Sequence, residues 1–236
     1  MNNGYGQYCP LALATELLGQ RWSILVISRL LDGCTTFSEI QRGVPRISPS
    51  MLSKRLEEFE HAGLIRRTTR KGGTAYQLTE AGKDLDGIIM DLAVWGQKWA
   101  RDMTMDDLDP AFLAWSMHTR VDPSVFGEGR TVIEFEFSGT PRGTDTFWLV
   151  FTDGTVDMCL KYPGFETDLL VKADLLRFVE TWRGFRSLED ELYTGKIRLE
   201  GPPPLKRAFP SCLQLSALAP WERMKPGREK RIASHA

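Results

Sequence analysis

The chain has 236 residues, 42% of them hydrophobic, and its 30 Lys and Arg against 31 Asp and Glu leave a formal net charge of −1. That length suits two compact domains, and the balanced charge excludes a polycation that would coat nucleic acid or membrane without selectivity. No apolar run approaches the length of a bilayer span and the opening MNNGYGQYCP lacks an apolar signal core, so a cytoplasmic protein without membrane contact is expected.

Cys9-Pro10 precedes the first of two apolar helix patterns, over 11–18 and 21–31. Thr36 and Glu39 have the Thr-x-x-Glu spacing of a capping box, in which each side chain satisfies a free backbone N–H at a helix start. Ser48 before Pro49 supplies a second N-cap, with proline at the first helical position, where its missing N–H costs nothing. From there Leu52, Leu56 and Phe59 recur at helical spacing and face inward, while Ser50, Ser53, Lys54 and Glu57 face outward, and Gly63 closes the helix. Residues 64–70 and 74–78 read as strands joined by the turn Lys71-Gly72-Gly73. Two helices followed by a basic hairpin make a winged helix-turn-helix, whose second helix enters the major groove of double-stranded DNA while the hairpin touches the backbone beside it. Local charge agrees: between 42 and 71, eight basic residues (Arg42, Arg46, Lys54, Arg55, Arg66, Arg67, Arg70, Lys71) outnumber three acidic ones (Glu57, Glu58, Glu60).

A long helix is expected over 80–101, with Leu85, Ile88, Ile89, Leu92, Trp95 and Trp99 along one side. A small winged helix has little core left to cover that stripe. With the N-terminal helices it suggests a two-fold homodimer, matching palindromic half-sites about 34 Å apart; packing onto the rest of the chain is the plainer alternative. Met105-Asp106-Asp107-Leu108-Asp109-Pro110 then breaks the helix, placing a domain boundary after residue 104. The first part carries 13 basic and 11 acidic residues and the second 17 and 20, so the second is not where DNA binds.

The second domain, 105–222, reads as α+β. A helix is expected around 111–119, and residues 131–137 then alternate with Ile133, Phe135 and Phe137 on one face. Residues 147–151 are apolar on both faces, as in a covered central strand, and Asp153-Gly154 turns the chain into Val156, Met158 and Leu160. Asp174 caps a helix bearing Leu175, Phe178, Val179 and Trp182 and stopped by Gly184; a short helix over 187–193 and a last strand over 196–201 follow. The basic stretch 223–236 reads as a disordered tail.

No catalytic constellation emerges. His61, His118 and His235 are scattered, Asp145, Asp153 and Asp157 fit turns and strand edges, and Ser211-Cys212 has no elbow motif. Cys9, Cys34, Cys159 and Cys212 show no C-x-x-C spacing, so free thiols, no metal and no cofactor are expected.

Cys9-Pro10, Leu17-Leu18-Gly19-Gln20-Arg21-Trp22, Phe37-Ser38-Glu39-Ile40, residues 47–53, Leu56-Glu57-Glu58-Phe59-Glu60, Gly63-Leu64-Ile65, Tyr76-Gln77-Leu78-Thr79 with Gly82, and Trp95-Gly96 together resemble the HxlR-type winged-helix regulators. The resemblance covers about the first hundred residues. It implies a dimeric DNA-binding regulator and carries a redox or electrophile-sensing possibility to Cys9, where a helix start also favours a thiolate; an inert cysteine is the commoner outcome. Val171-Lys172-Ala173-Asp174, Trp182-Arg183-Gly184, Ser187-Leu188 and residues 195–201 resemble sterol-carrier-protein-like domains. That likeness implies a small antiparallel sheet and an apolar cavity between sheet and helices, open to a small hydrophobic molecule. The candidate lining is Phe135, Phe137, Trp148, Val150, Met158, Leu175, Phe178 and Trp182, although plain core packing explains each of these singly.

The expected DNA contacts follow. Ser50, Ser53 and Lys54 are candidate base readers, with Arg55 beside them. Ser48 starts the helix, Arg46, Arg66, Arg70 and Lys71 hold phosphates, and Thr36 adds a backbone contact. The composite reading is a non-enzymatic transcriptional regulator controlled by a hydrophobic effector. Two alternatives stay open: a redox regulator working through Cys9 with a structural or partner-binding second domain, and a hydrophobic-ligand carrier with an idle winged helix.

Overall fold

The computed structural model describes residues 4–70, 73–140 and 143–225, which form two compact units, Met1–Leu92 and Ala93–Ala236. In the first, α1 (Pro10–Leu18) and α2 (Ser23–Leu31) are followed by α3 (Phe37–Gly43), α4 (Pro49–His61) and the hairpin β1 (Ile65–Arg70) and β2 (Gly73–Leu78). Helix α2 starts two residues later than its pattern suggests, because Trp22 takes a left-handed backbone (φ 77°) that helix geometry cannot continue. The core draws Val26, Ile27 and Leu30 from α2, Ile40 from α3, Leu52, Leu56 and Phe59 from α4, and Ile65 and Ala75 from the hairpin. Tyr76 donates its N–H to the Thr35 carbonyl at 2.7 Å, and Thr36 pairs with Ala75, so the hairpin is pinned to the start of α3.

After Thr79 caps α5 (Glu80–Lys83), the chain resumes as α6 (Leu85–Trp99). The single expected helix is thus interrupted at Asp84, whose angles (φ −60°, ψ −15°) remain helical. Gly82 packs so closely that an added Cβ would sit 2.2 Å from the Leu64 carbonyl oxygen. Helix α6 runs from the first unit into the second.

The second unit contains α7 (Pro110–His118), β3 (Arg130–Thr140), β4 (Gly143–Thr152), β5 (Thr155–Cys159), β6 (Leu169–Asp174), α8 (Leu175–Trp182), α9 (Leu188–Tyr193), β7 (Ile197–Glu200) and α10 (Pro203–Cys212). Its five-stranded sheet has the order β5-β4-β3-β6-β7. The expectation of an antiparallel sheet is corrected here: β6 pairs with β3 in parallel, and the sheet is mixed. Strand β6 over residues 169–174 is not among the expected elements, and it runs directly into the Asp174 cap of α8. Helix α10 is an element the sequence reading does not assign; Pro203 and Pro204 occupy its first turn, where proline is tolerated. The Asp153-Gly154 turn is as expected, with both residues left-handed (φ 47° and 79°).

Helices α7, α8 and α10 cover one face of the sheet, contributing Met117, Phe178 and Phe209 to a cluster with Ile133, Phe135, Phe137, Phe147, Leu149 and Val171. The crossover from β5 to β6 passes over the other face, where Tyr162 meets Trp148 edge-on at 6.1 Å and the Thr167 hydroxyl donates to Glu134 at 2.6 Å. The start of the expected disordered tail is tied down. Arg223 donates to Asp102 at 3.0 Å, and the Met224 and Lys225 amides reach the Lys98 carbonyl at 3.0 and 3.1 Å. Residues 226–236 lie outside the described residues.

Candidate nucleic-acid interface

Helix α4 is fixed at both ends by its own sequence. The Ser48 hydroxyl accepts from the Met51 N–H at 3.3 Å and lies 3.2 Å from the Ser50 hydroxyl. At the other end Gly63 is left-handed (φ 73°), with the Leu64 N–H bonded to the Phe59 carbonyl and the Gly63 N–H to the Glu60 carbonyl, a Schellman closure. Between these caps Leu52, Leu56 and Phe59 are buried, and Ser50, Ser53, Lys54 and Glu57 are exposed on the outer side.

Arg55 departs from expectation. Only 5% exposed, it forms an ion pair with Glu58 at 2.7 Å and donates to the Gln20 carboxamide oxygen. Its side chain points into the protein, away from any ligand on the outer face, so it is not a base reader. The signal was present in the spacing: position 55 is three residues after Leu52 and four before Phe59, on the inward stripe. Its partner Gln20 lies between α1 and α2, where helical spacing gives no sign of the contact.

Helix α3 begins with the expected capping box. The Thr36 hydroxyl accepts from the Glu39 N–H at 3.3 Å, and the Glu39 carboxylate accepts from the Thr35 and Thr36 amides at 2.8 and 2.9 Å. These amide bonds, the one from Thr35 foremost, hold the Glu39 carboxyl below the usual carboxylate range. Thr36 itself is exposed, as is Arg46 just before α4. In the hairpin, Arg66 is exposed and donates to Gln77 at 3.2 Å. Arg67 pairs with Glu60 at 3.3 Å and lies over the Tyr76 ring. The Arg70 backbone ends β1, while its side chain and the whole of Lys71 lie outside the described residues.

Two helices present apolar surface outward. Every side chain of α1 is at least partly exposed, Leu11 at 74%. On α6, Ile88, Leu92, Trp95 and Trp99 are all exposed, and the one residue buried is polar, Gln97.

The proposed cavity lining divides between the two faces of the second unit's sheet. Phe135, Phe137, Leu175, Phe178 and Trp182 are buried in the helix-covered cluster, with Met158 packed against it. Phe135 lies 4.9 Å from Phe147 and 6.0 Å from Phe178, and Phe137 lies 5.1 Å from Phe178, so these rings pack against one another between sheet and helices. Trp148 and Val150 point to the opposite face, since β4 alternates and its partners Phe147 and Leu149 point into the cluster. One cavity cannot be lined by all eight.

All four cysteines are free. Cys34 and Cys212 are buried, which pushes their thiols up to about 11 and about 12, whereas Cys9 is exposed at the start of α1. Among the described residues no group of three metal-ligating side chains converges, and no helix is long and apolar enough to cross a membrane.

Comparison with known proteins places the first unit. A family described as HxlR-like helix-turn-helix matches residues 17–104. The uncharacterized HTH-type transcriptional regulator YvaP of Bacillus subtilis is 33% identical over 111 residues, 45% of this chain and 95% of YvaP. The HTH-type transcriptional regulator YodB of the same organism is 35% identical over 95 residues, 39% of this chain and 85% of YodB. The solved structure of the reduced form of YodB covers 42% of this chain and 100% of its own, at 32% identity and a TM-score of 0.37.

Proposed function

The chain belongs to the HxlR-like helix-turn-helix family of transcriptional regulators, and from that premise we propose that it binds operator DNA as a two-fold dimer through α4 and the β1–β2 hairpin. The observation that carries this reading is a doubly capped α4 whose outer side exposes Ser50, Ser53 and Lys54 while its inner side is buried. In this reading Ser50, Ser53 and Lys54 meet base edges in the major groove. Ser48, Arg46 and Thr36 approach the backbone beside them, and Arg66, Arg70 and Lys71 hold phosphates along the wing. The exposed apolar sides of α1 and α6 are the proposed dimer contact, with residues 1–104 as the DNA-binding and dimerisation domain.

Residues 105–222 are proposed as a sterol-carrier-like sensory domain acted on by a small hydrophobic molecule. The support for this is a five-stranded sheet with helices over one face. Because aromatic rings fill that interface, a ligand between sheet and helices would have to displace the rings of Phe178 or Trp182. Effector control then requires a ligand that favours one dimer geometry over the other.

A second reading rests on Cys9, the exposed one of four free cysteines, at the N-cap of α1. In this reading its oxidation moves α1 and with it the dimer, while the second domain is structural. Cys9→Ser should then abolish oxidant-dependent loss of DNA binding.

The decisive experiment for DNA reading is capture of fragmented genomic DNA by the reduced protein, followed by sequencing. Enrichment of one or a few palindromic sites is expected. Diffuse, salt-sensitive recovery alone would overturn sequence-specific regulation by the unliganded protein and favour the carrier reading of the second domain.

A further inference from the structure

Buried arginine is an expensive choice under a recognition helix. The Arg55 Nε has no hydrogen-bond acceptor, and only its Nη1 engages Gln20 and Glu58. A well-packed apolar side chain of similar volume would serve stability as well or better, so stability alone does not account for the guanidinium. What it does uniquely is join two helices. Gln20, just past the end of α1, accepts from Arg55 and returns its own amide to the Glu16 carbonyl at 2.9 Å. The Glu16 carboxylate in turn accepts from the Tyr5 N–H at 2.6 Å, which brings the segment leading to Cys9 into the same chain of contacts.

The surroundings make this bridge matter. A groove of about 580 Å³ separates α1 from α4, lined by Leu13 and Leu17 on one side and by Lys54 and His61 on the other. Beside the bridge the two helices are therefore held apart rather than interdigitated. No residue of α1 is buried in the single chain, so apolar packing within it does not lock the helix in place.

We propose that Arg55 is a positioning residue that ties the DNA-reading helix to the end of α1, so that the setting of α4 in the major groove follows the placement of α1 in the dimer. The proposal rests on the DNA-reading and dimer assignments above and adds the link between them. Through Gln20, a shift of α1 by its dimer partner or by the N-terminal segment becomes a shift of Ser50, Ser53 and Lys54 against the bases, while Glu58, on α4 itself, holds the guanidinium in place. Sub-ångström displacements are enough, because bidentate base contacts tolerate little misplacement.

The test uses full-length protein, a duplex selected by the wild type from a random-sequence pool, and an unrelated duplex, each titrated over a range of salt. Gln20→Leu alters an exposed residue and leaves the fold intact, which keeps the test valid even where Arg55→Gln folds poorly. Each single variant should weaken binding to the selected duplex by about tenfold, and the double variant should lose little more, as expected for one shared interaction. Affinity for the unrelated duplex and the salt slope should stay close to wild type. Gln20→Glu, which keeps the acceptor, should retain selective binding.

Three results would overturn the proposal. They are a salt slope lower by about one in Arg55→Gln, which marks a phosphate contact, equal losses on both duplexes, and full additivity in the double variant. If the wild type selects no sequence at all, the DNA-reading assignment fails and this one with it. If it does select one, only the Arg55 link is at stake.

Discussion

Helix α1 buries none of its nine residues, while α8, one residue shorter, buries Leu175, Phe178, Thr181 and Trp182. The contrast extends to the units that contain them. In the first unit, order is imposed locally by caps on α3 and α4 and by a hairpin register, and apolar surface on α1 and the first half of α6 is left outside. In the second, the helices close over the sheet and the large rings meet one another. A unit that completes its own core needs no partner, whereas one that leaves a helix uncovered has its stability linked to assembly. This division of labour suits the proposed regulator, in which the DNA-reading unit is completed by a second copy.

The largest effect should come from emptying the self-sufficient core. Phe178→Ala removes a fully buried ring in contact range of Phe135 and Phe137 and should cost about 3–5 kcal/mol in denaturant unfolding of the second unit. A loss under about 1 kcal/mol would mean that the ring already borders space a ligand can enter, and the contrast between the units would weaken. Next comes the uncovered surface of the first unit. Ile88, 60% exposed on α6, should tolerate Asp within the folded chain, yet Ile88→Asp should raise the dimer dissociation constant by at least about a hundredfold in sedimentation. A wild type that remains monomeric at micromolar concentration would require another occupant for the stripe.

Within the first unit, a finer contrast separates the proposed base readers from the proposed phosphate holders. Lys54→Ala should flatten the preference at one operator position, by about 1–3 kcal/mol, when duplexes differing at single base pairs are compared. Arg66→Ala should instead weaken every duplex alike and lower the salt slope by about one. A uniform loss for Lys54→Ala would remove it from the reading set.

Legibility in the sequence followed the same division. The Thr36–Glu39 capping box, the Ser48 N-cap, Gly63 and the β1–β2 hairpin were readable because their signals are short-range and lie within a few residues of what they fix. Arg55 is not the base reader its place next to Lys54 suggests, and its spacing from Leu52 and Phe59 already puts it inward. The second unit was readable in its hairpins but not in β6, whose neighbour β3 lies more than thirty residues earlier; parallel pairing leaves no local turn to announce it. The proposed cavity failed as a single lining because alternation along β4 puts Trp148 and Val150 on the side opposite Phe147. Apolar composition alone does not say whether rings surround a space or fill it.

The smallest effect probes a local device of the first unit, the Glu39 cap of α3. Its carboxyl is held below the ordinary value of 4.5, chiefly by the Thr35 amide and then by that of Thr36. A carboxyl lowered in the folded state binds fewer protons there than in the unfolded chain, so its contribution is complete above the ordinary value and is lost as pH falls through the lowered one. Glu39→Gln keeps an acceptor oxygen but removes both the charge and its titration. At neutral pH the variant should be less stable by about 0.3–1 kcal/mol, the usual worth of a carboxylate at a helix start, and the gap should close as the pH drops below 4.5. Subtracting the two proteins' denaturation curves cancels every other carboxylate, including Asp107, which is held low by Arg101 and Thr104 in a similar cap of the second unit. A gap that persists unchanged in acid would mean that Glu39 stabilises α3 by its shape and hydrogen-bond geometry, not by its charge.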